Sequence, residues 1–595
     1  MVSTDEHKVF VCSPAENEPD QCDSLSSSSS AITGRSFRRE SLDGKKKAFF
    51  LLRNKSNVKP ADDDSVLASR FRRGLRGLSS DDIVSARVLK RHKKDKWKDA
   101  FIVLKELNGP QLVVYDDFSL MKPKVVMELC YCFLYKIDES IAHHSNCILI
   151  TSNGGDMCLS VYLAFRSFVE YIQWFGMLRR YCFGFRRPSP FTIIPANHSA
   201  LNTISFVYLT ICDYRGTSLS PEYDYSTSVL INGVCIAQTI PVSPAAKNYV
   251  SFNAHFLIEN VPNGFCNLQL QLISYRQKRI GVSSAVFPLY PNERESQVGM
   301  QSRCDGFVFK GTLHRVVVLP EQNYAHFFKL LTSRSFLLCI WTGSVLDTFN
   351  CRCFVKHLLT LFLPTQSTFL SFIDIVLQSQ LQSESSETLF RLDTFCSTCI
   401  STALRIVGRD AVMYELSPLL QQLRSDKPTA VDVESFVSAL HKLATHLPRL
   451  LGAVLNRVVI AVRKHFPNDL SCPKRAVSCF FILRFLNPML TFWDITGGPA
   501  RELAKAVQEA TNQACSAKFD SRSSSRAAFL MSQIIDGFMR IDFETEEPET
   551  SLVAYDKEEH FAMVAYEISR VVEENSGCCP VPETVPILES LRNSY

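Results

Sequence analysis

The run RAVSCFFILRFLNPML, from Arg475 to Leu490, restricts what this chain can become more than any other stretch. Its apolar residues cover almost every face of a helix, so it belongs inside a fold. Arg484 interrupts it one turn beyond Phe480 and Phe481. A buried guanidinium costs several kcal/mol unless its donors are satisfied. A carbonyl-rich or acidic loop must therefore meet Arg484. Pro488 is expected to end the helix, because proline lacks the N–H and crowds the preceding turn.

A second informative stretch lies upstream, at Ser385-Ser386-Glu387-Thr388-Leu389-Phe390-Arg391-Leu392-Asp393-Thr394. It leads into a segment with apolar residues at Phe395, Cys399, Ala403 and Ile406, close to a helical repeat. Asp393 is the expected N-cap and Gly408 the expected stop. Arg391 then stands outside the helix, on the loop. An arginine braced there by a neighbouring aromatic ring is able to reach into a partner's site.

Thr388-Leu389-Phe390-Arg391 and Ile482-Leu483-Arg484-Phe485-Leu486-Asn487-Pro488 resemble the two motifs of the Ras GTPase-activating (RasGAP) family. The resemblance implies an all-helical domain with Arg391 as the arginine finger. It makes Arg484 the arginine that hydrogen-bonds the finger loop's carbonyls, and Leu483 a contact to Ras. Phe390 and Asn487 fall within the same motifs and are expected at the partner face. A later family segment is matched by Ala500-Arg501-Glu502-Leu503, then Lys505, Gln508 and Asn512, expected at that face too.

The implied partner is a Ras-type small GTPase in its GTP state. The implied activity is acceleration of its GTP hydrolysis, which switches off Ras signalling. No cofactor is implied. The chain has no Gly-rich phosphate loop followed by Lys-Ser/Thr, so it is expected to complete another protein's active site in trans. The alternative is a non-catalytic scaffold that uses the same fold to bind a GTPase or a membrane surface. Preference between Ras and Rap is left open.

The residues ahead of the helical region change character twice. Residues 1–83 are polar and serine-rich, with Ser26–Ser30 in a row, and read as a disordered tail. Arg38-Arg39-Glu40-Ser41 has a form that basophilic kinases accept, beside a basic strip at Lys45, Lys46 and Lys47. Residues 84–183 alternate short β runs with turns and finish in a helix carrying Trp174, which resembles a pleckstrin-homology domain, a β-barrel with a C-terminal helix. Lys90, Arg91, Lys93, Lys94, Lys96 and Lys98 form a basic loop that faces anionic lipid in that reading. Ala100 stands where the inositide-binding pattern usually has arginine, so a weak electrostatic face or a protein-binding fold is the expectation.

Residues 200–295 are again β-rich and resemble a C2-type β-sandwich, closed by Gly311-Thr312-Leu313 and Arg315-Val316-Val317-Val318. Calcium needs six to eight oxygen ligands. Asp213 and Asp224 offer two carboxylates, while Tyr275–Ser284, read as the second loop, offers Arg276, Lys278 and Arg279 instead. No calcium site is expected. Residues 320–575 carry long helical periods, and 576–595 read as a C-terminal tail.

Composition bounds the rest. A chain of 595 residues, 46% hydrophobic and 21% charged, is globular and holds several domains, and a net charge of +5 makes no case for nucleic acid. Met1–Pro14 mixes Asp5, Glu6 and Lys8 with apolar residues, unlike a secretory signal. Its apolar runs are too short to span a bilayer. The 21 cysteines then read as small core hydrophobes, and Cys396/Cys399, with no second pair at zinc spacing, as no metal site. The expectation is a soluble cytoplasmic protein recruited to the inner face of the plasma membrane.

Overall fold

The first described strand pairs with the next in the order that the alternating apolar runs require. In the computed structural model the described residues are 82–593, apart from 93–95, 106–108, 117–121, 143, 153–158, 183–202, 217–218, 247, 263–265, 276–278, 290–305, 424–431, 445, 493–498, 517–518, 521–523, 541–554, 556 and 576. Ser41, the basic strip beside it, Lys93 and Lys94 lie outside them. Seven strands, β1 (Asp82–His92), β2 (Lys96–Lys105), β3 (Gln111–Tyr115), β4 (Val125–Glu128), β5 (Cys132–Ile137), β6 (Cys147–Ser152) and β7 (Ser160–Ala164), form one sheet in the order β4-β3-β2-β1-β7-β6-β5. Helix α1 (Phe168–Arg179) closes it. Ser167 caps that helix by accepting from the Glu170 amide, and Trp174 is buried on its inner face with Phe175 and Leu178.

Four of the six basic residues read as a loop lie in strands. Lys90 and Arg91 lie in β1 and Lys96 and Lys98 in β2, with Lys90 directly opposite Lys98. Ala100 is fully buried in β2. An arginine there would have to leave its charge in the sheet's core.

A β-sandwich follows. Strands β9 (Asp224–Ile231), β10 (Val234–Gln238), β12 (Cys266–Tyr275) and β13 (Arg279–Leu289) form one sheet. Strands β8 (Thr203–Arg215), β11 (Tyr249–Ile258) and β14 (Gly306–Val317) form the other. β14 carries the sandwich past residue 295. Tyr275–Ser284 is mostly strand: Tyr275 ends β12 and pairs with Arg279 of β13. Asp213 and Asp224 accept from Tyr249 at 2.8 Å and Ser243 at 2.6 Å. Among the described residues no group of His, Cys, Asp or Glu is placed to hold a metal ion.

The helical part runs α2 (Ala325–Thr332), α3 (Leu337–Val345), α4 (Thr348–Phe362), α5 (Gln366–Leu381), α6 (Phe395–Leu423), α7 (Val433–Ala444), α8 (Arg449–His465) and α9 (Cys472–Ser478). A π-helix (Cys479–Leu486) continues α9 directly into α10 (Asn487–Phe492). Then come α11 (Pro499–Ala514), α12 (Arg526–Arg540), α13 (Glu558–Glu574) and α14 (Thr584–Arg592). Among the described residues no single helix is long and apolar enough to cross a membrane.

Three expectations fail here for tertiary reasons. Gly408 does not stop α6, which runs on to Leu423. The glycine instead makes room for α8: a Cβ there would lie 1.8 Å from Leu451 Cδ1. Leu451 is fully buried and has little space to yield. Gly408→Ala is therefore expected to cost about 1–3 kcal/mol through overpacking, read as a lower urea midpoint. Pro488 does not end its helix either, because the wider π-turn before it relaxes the crowding that proline imposes on a regular α-turn. Residues 576–595 are not a bare tail. Leu588 and Leu591 of α14 are buried in the helical core, and Glu583 pairs with Arg334 at 2.7 Å.

The described residues fall in one compact unit whose three parts share their cores. Tyr135, Ile137, Cys147 and Leu149 of the first sheet pack with the sandwich. Ile204, Phe206 and Val316 of the sandwich pack with the helices. Where the three meet, Glu259 lies 3.3 Å from Lys136, 3.0 Å from Lys356 and 2.9 Å from His357 Nε2. Lys136 also pairs with Glu559. His357 Nδ1 and His560 Nδ1 are 2.9 Å apart. One proton bridges them, one Nδ1 donating and the other accepting.

Burial pushes the Glu259 and Glu559 carboxyls up, but neighbouring cations outweigh it. Lys136 and then Lys356 hold Glu259 well below the ordinary range, and Lys136 and then Arg179 hold Glu559 at about 2. His560 is driven well below its ordinary 6.5, first by burial and then by His357. Its native value lies under its unfolded value, so the unfolded chain binds the extra proton and stability falls as pH drops below ~6.5. The carboxylates act in the same direction but lose their contribution only at far lower pH. The urea midpoint should fall between pH ~7.5 and ~5.5, approaching ~1.4 kcal/mol per unit, and fall less in His560→Gln.

A second contact joins the first sheet to α6. Glu139, in a one-turn helix Glu139–Ala142, pairs with Arg409. Ser145 and Asn146 donate to Asp410 at 2.9 and 2.8 Å.

Candidate functional site

The segment between α5 and α6 is a chain of tight turns whose centre is Phe390. Its φ of +53° is left-handed, a conformation that costs a bulky residue about 1–3 kcal/mol. Burial of the ring offsets that cost. Phe390 is 1% exposed and sits 4.8 Å, centroid to centroid, from Phe480. The kink turns the Phe390 carbonyl inward, and the Arg391 amide donates back to the Thr388 carbonyl at 3.0 Å. Phe390 is therefore an anchor of the loop, not an exposed partner contact.

Arg484 reaches this loop from the π-helix. Its Nη2 donates to the carbonyls of Phe390, Arg391 and Leu392 at 3.0, 3.0 and 2.8 Å, and its Nε to Phe390 at 3.2 Å. Its Nη1 donates to Asp393 Oδ1 at 2.6 Å. Three successive carbonyls and one carboxylate thus converge on a single cation, which satisfies the planar fork. Cys479 Sγ adds a weaker bond to the Phe390 carbonyl at 3.5 Å.

Asp393 is consequently not the N-cap of α6. Thr394 is: the Ser397 amide donates to Thr394 Oγ1 at 3.2 Å, and Ser397 Oγ accepts from the Thr394 amide at 2.9 Å. Arg484 claims the neighbouring carboxylate, and its hydrogen bond holds the Asp393 carboxyl below the usual range. Asp393 therefore stays ionised and paired at neutral pH.

Held this way, the loop leaves Arg391 exposed. Among the described residues no carboxylate lies within ion-pair distance of its guanidinium. Leu392, next to Arg391 in the chain, is 70% exposed, and Leu483, next to Arg484, is 46% exposed. Asn487, four residues beyond Leu483, donates to Gln508 at 3.0 Å, and Gln508 to Asn512 at 3.0 Å. That row links the Arg484 helix to α11. Lys505 stands apart from it in an exposed pair with Glu502 at 2.8 Å. In the first domain, Lys98 is exposed.

Sequence reasoning missed Arg475. It heads the same apolar run nine positions before Arg484. Its Nη2 donates to the Ser386 carbonyl at 2.9 Å and to Asp469 at 3.0 Å. A second arginine at the head of a buried helix was the available signal.

No protein-family model matches the chain. Ras GTPase-activating protein 1 of Bos taurus is 20% identical over 473 residues, 71% of this chain and 44% of that protein. The Homo sapiens protein of the same name is 20% identical over 476 residues, and the Rattus norvegicus one 21% over 475. The chain spans less than half the length of these curated relatives.

Among solved structures, the C-terminal PH domain of pleckstrin in complex with D-myo-Ins(1,2,3,4,5)P5 is 21% identical and covers 17% of this chain and 97% of its own, at a TM-score of 0.14. The calcium-bound tandem C2 domains of extended-synaptotagmin 2 are 10% identical and cover 40% of this chain and 89% of their own, at 0.17. Neither likeness bears on what this chain does.

Proposed function

We propose, from the relationship of this chain to the C-terminal half of Ras GTPase-activating protein 1, that it accelerates GTP hydrolysis by a Ras-type small GTPase. Arg391 is the group it supplies, in trans. The observation that carries this reading is the convergence of three carbonyls, Phe390 to Leu392, on Arg484, with Arg391 left exposed beside them.

GTP hydrolysis by such switches is slow because charge spreading over the phosphoryl oxygens is poorly matched. A cation that meets those oxygens mainly in the transition state raises turnover and not merely affinity. Arginine suits the task, since its planar fork bridges two oxygens where lysine offers one hydrated point charge. A rigid loop matters equally, because a swinging side chain would forfeit the advantage of being pre-positioned. Leu392 and Leu483 offer exposed apolar contact. Asn487, Gln508, Asn512 and Lys505 extend the face along α11, and the GTP-bound form is the state that would dock there. The paired strands that carry Lys90, Arg91, Lys96 and Lys98 are rich in basic residues, which suits contact with anionic lipid at the inner face of the plasma membrane.

The test is single-turnover GTP hydrolysis by purified Ras-type and Rap-type GTPases with substoichiometric chain. Acceleration on at least one supports the reading, and the panel assigns the preference. A flat trace at high protein concentration, with GTP-dependent binding intact, would leave a docking scaffold in its place.

A further inference from the structure

Arg484 holds only one limb of the loop, the carbonyls of 390–392. The limb that arrives from α5 has a separate tie. Arg475 donates from Nη2 to the Ser386 carbonyl at 2.9 Å, to Asp469 Oδ2 at 3.0 Å and to Cys472 Sγ at 3.1 Å. Asp469 is itself fixed, accepting from the Ser471 amide at 2.9 Å, the Ser471 hydroxyl at 2.6 Å and the Cys472 thiol at 3.2 Å. Those bonds, Ser471 first and then Cys472, hold its carboxyl far below the usual range, so Arg475 always faces a carboxylate.

A loop gripped at one point can pivot about it. Two grips set a direction. Arg475 and Arg484 belong to one continuous helical rod, nine residues apart, roughly 13 Å along a helical axis. They seize the loop at Ser386 and at Phe390–Leu392. Between those points Leu389 and Phe390 are buried, and the Thr388 carbonyl takes the Arg391 amide. The residue that projects is thus fixed from both sides by the same rod.

We infer that Arg475, oriented by Asp469, is a second positioning residue that sets the direction in which Arg391 points. This rests on the reading of Arg391 as the residue offered to a GTPase. The competing account makes Arg475–Asp469 a surface pair. Side chains 40% and 36% exposed in such a pair contribute little to stability.

The experiment uses the full chain and the variants Arg475→Ala, Arg475→Lys and Asp469→Asn. It reads amide hydrogen exchange across 386–394, trypsin cleavage after Arg391, and single-turnover hydrolysis over a range of chain concentrations. In Arg475→Ala, exchange and cleavage in the loop should rise. The saturating rate should fall by ~10–100-fold, with the half-saturating concentration changed less than ~3-fold. Arg475→Lys, able to reach one carbonyl, should recover most of the rate, and Asp469→Asn should show a smaller loss. A purely structural role would move the melting temperature and leave this split absent. Unaltered loop exchange in Arg475→Ala, with stimulation equal to wild type, overturns the positioning claim alone. Absent stimulation by wild type, with loop exchange still raised in Arg475→Ala, overturns the reading of Arg391 and the positioning claim with it.

Discussion

Arg391→Ala should leave the chain folded and remove nearly all of its stimulation of GTP hydrolysis, a loss of about 10³-fold or more in the saturating rate. That size belongs to Ras-type switches and their activating arginines in general and is not a quantity read from this chain. The fold is spared because Arg391 contributes its carbonyl, not its side chain, to the loop's hydrogen bonds. Alanine keeps that carbonyl. Arg484→Ala should behave differently. It abandons three carbonyls and Asp393 at once, so activity and loop order fall together. Arg391→Lys separates charge from geometry: a large residual deficit is expected, because an ammonium cannot span two oxygens. Single-turnover rates at saturating chain, alongside melting temperatures, decide each case. Equal rates for wild type and Arg391→Ala would end the arginine-finger account.

Glu259→Gln should destabilise the described unit by about 3–5 kcal/mol, seen as a large drop in urea midpoint. The carboxylate answers Lys136, Lys356 and His357 together, and both its own side chain and those of Lys136 and His357 are largely out of water. An amide of the same shape leaves those donors facing each other across a dry junction. Glu559→Gln should cost less, since Lys136 would keep Glu259. A midpoint in Glu259→Gln within ~0.5 kcal/mol of wild type would mean that water reaches the cluster and screens it.

The sequence carried those features that a physical demand makes local. A guanidinium in an apolar run requires acceptors, and the resemblance of the two motifs to the RasGAP family implied which loop supplies them. The β and helical regions were legible from their periods, as was the helix bearing Trp174. What failed turned on a neighbour from elsewhere. Asp393 and Thr394 are both capping types, aspartate the better of the two, and only the approach of Arg484 assigns the carboxylate to one task and the hydroxyl to the other. Gly408 looks like a helix stop until Leu451, a helix away in sequence, is seen to fill its missing side chain. Pro488 looks like a terminator unless the preceding turn is known to be wide. Lys136, His357 and Glu559 lie on three separate elements, Glu259 just past the end of a strand, and the four carry no common pattern, so their junction was invisible.

One unbroken helix has a mechanical consequence. From Phe395, directly after the loop, to Asp410, held by Ser145 and Asn146, α6 runs about 22 Å as a stiff strut. One end is bolted to the seven-stranded domain and the other carries the mount of Arg391. Whatever surface the β-domain rests on would fix the compass bearing of that cation, so a partner tethered to the same surface would meet it from a single heading.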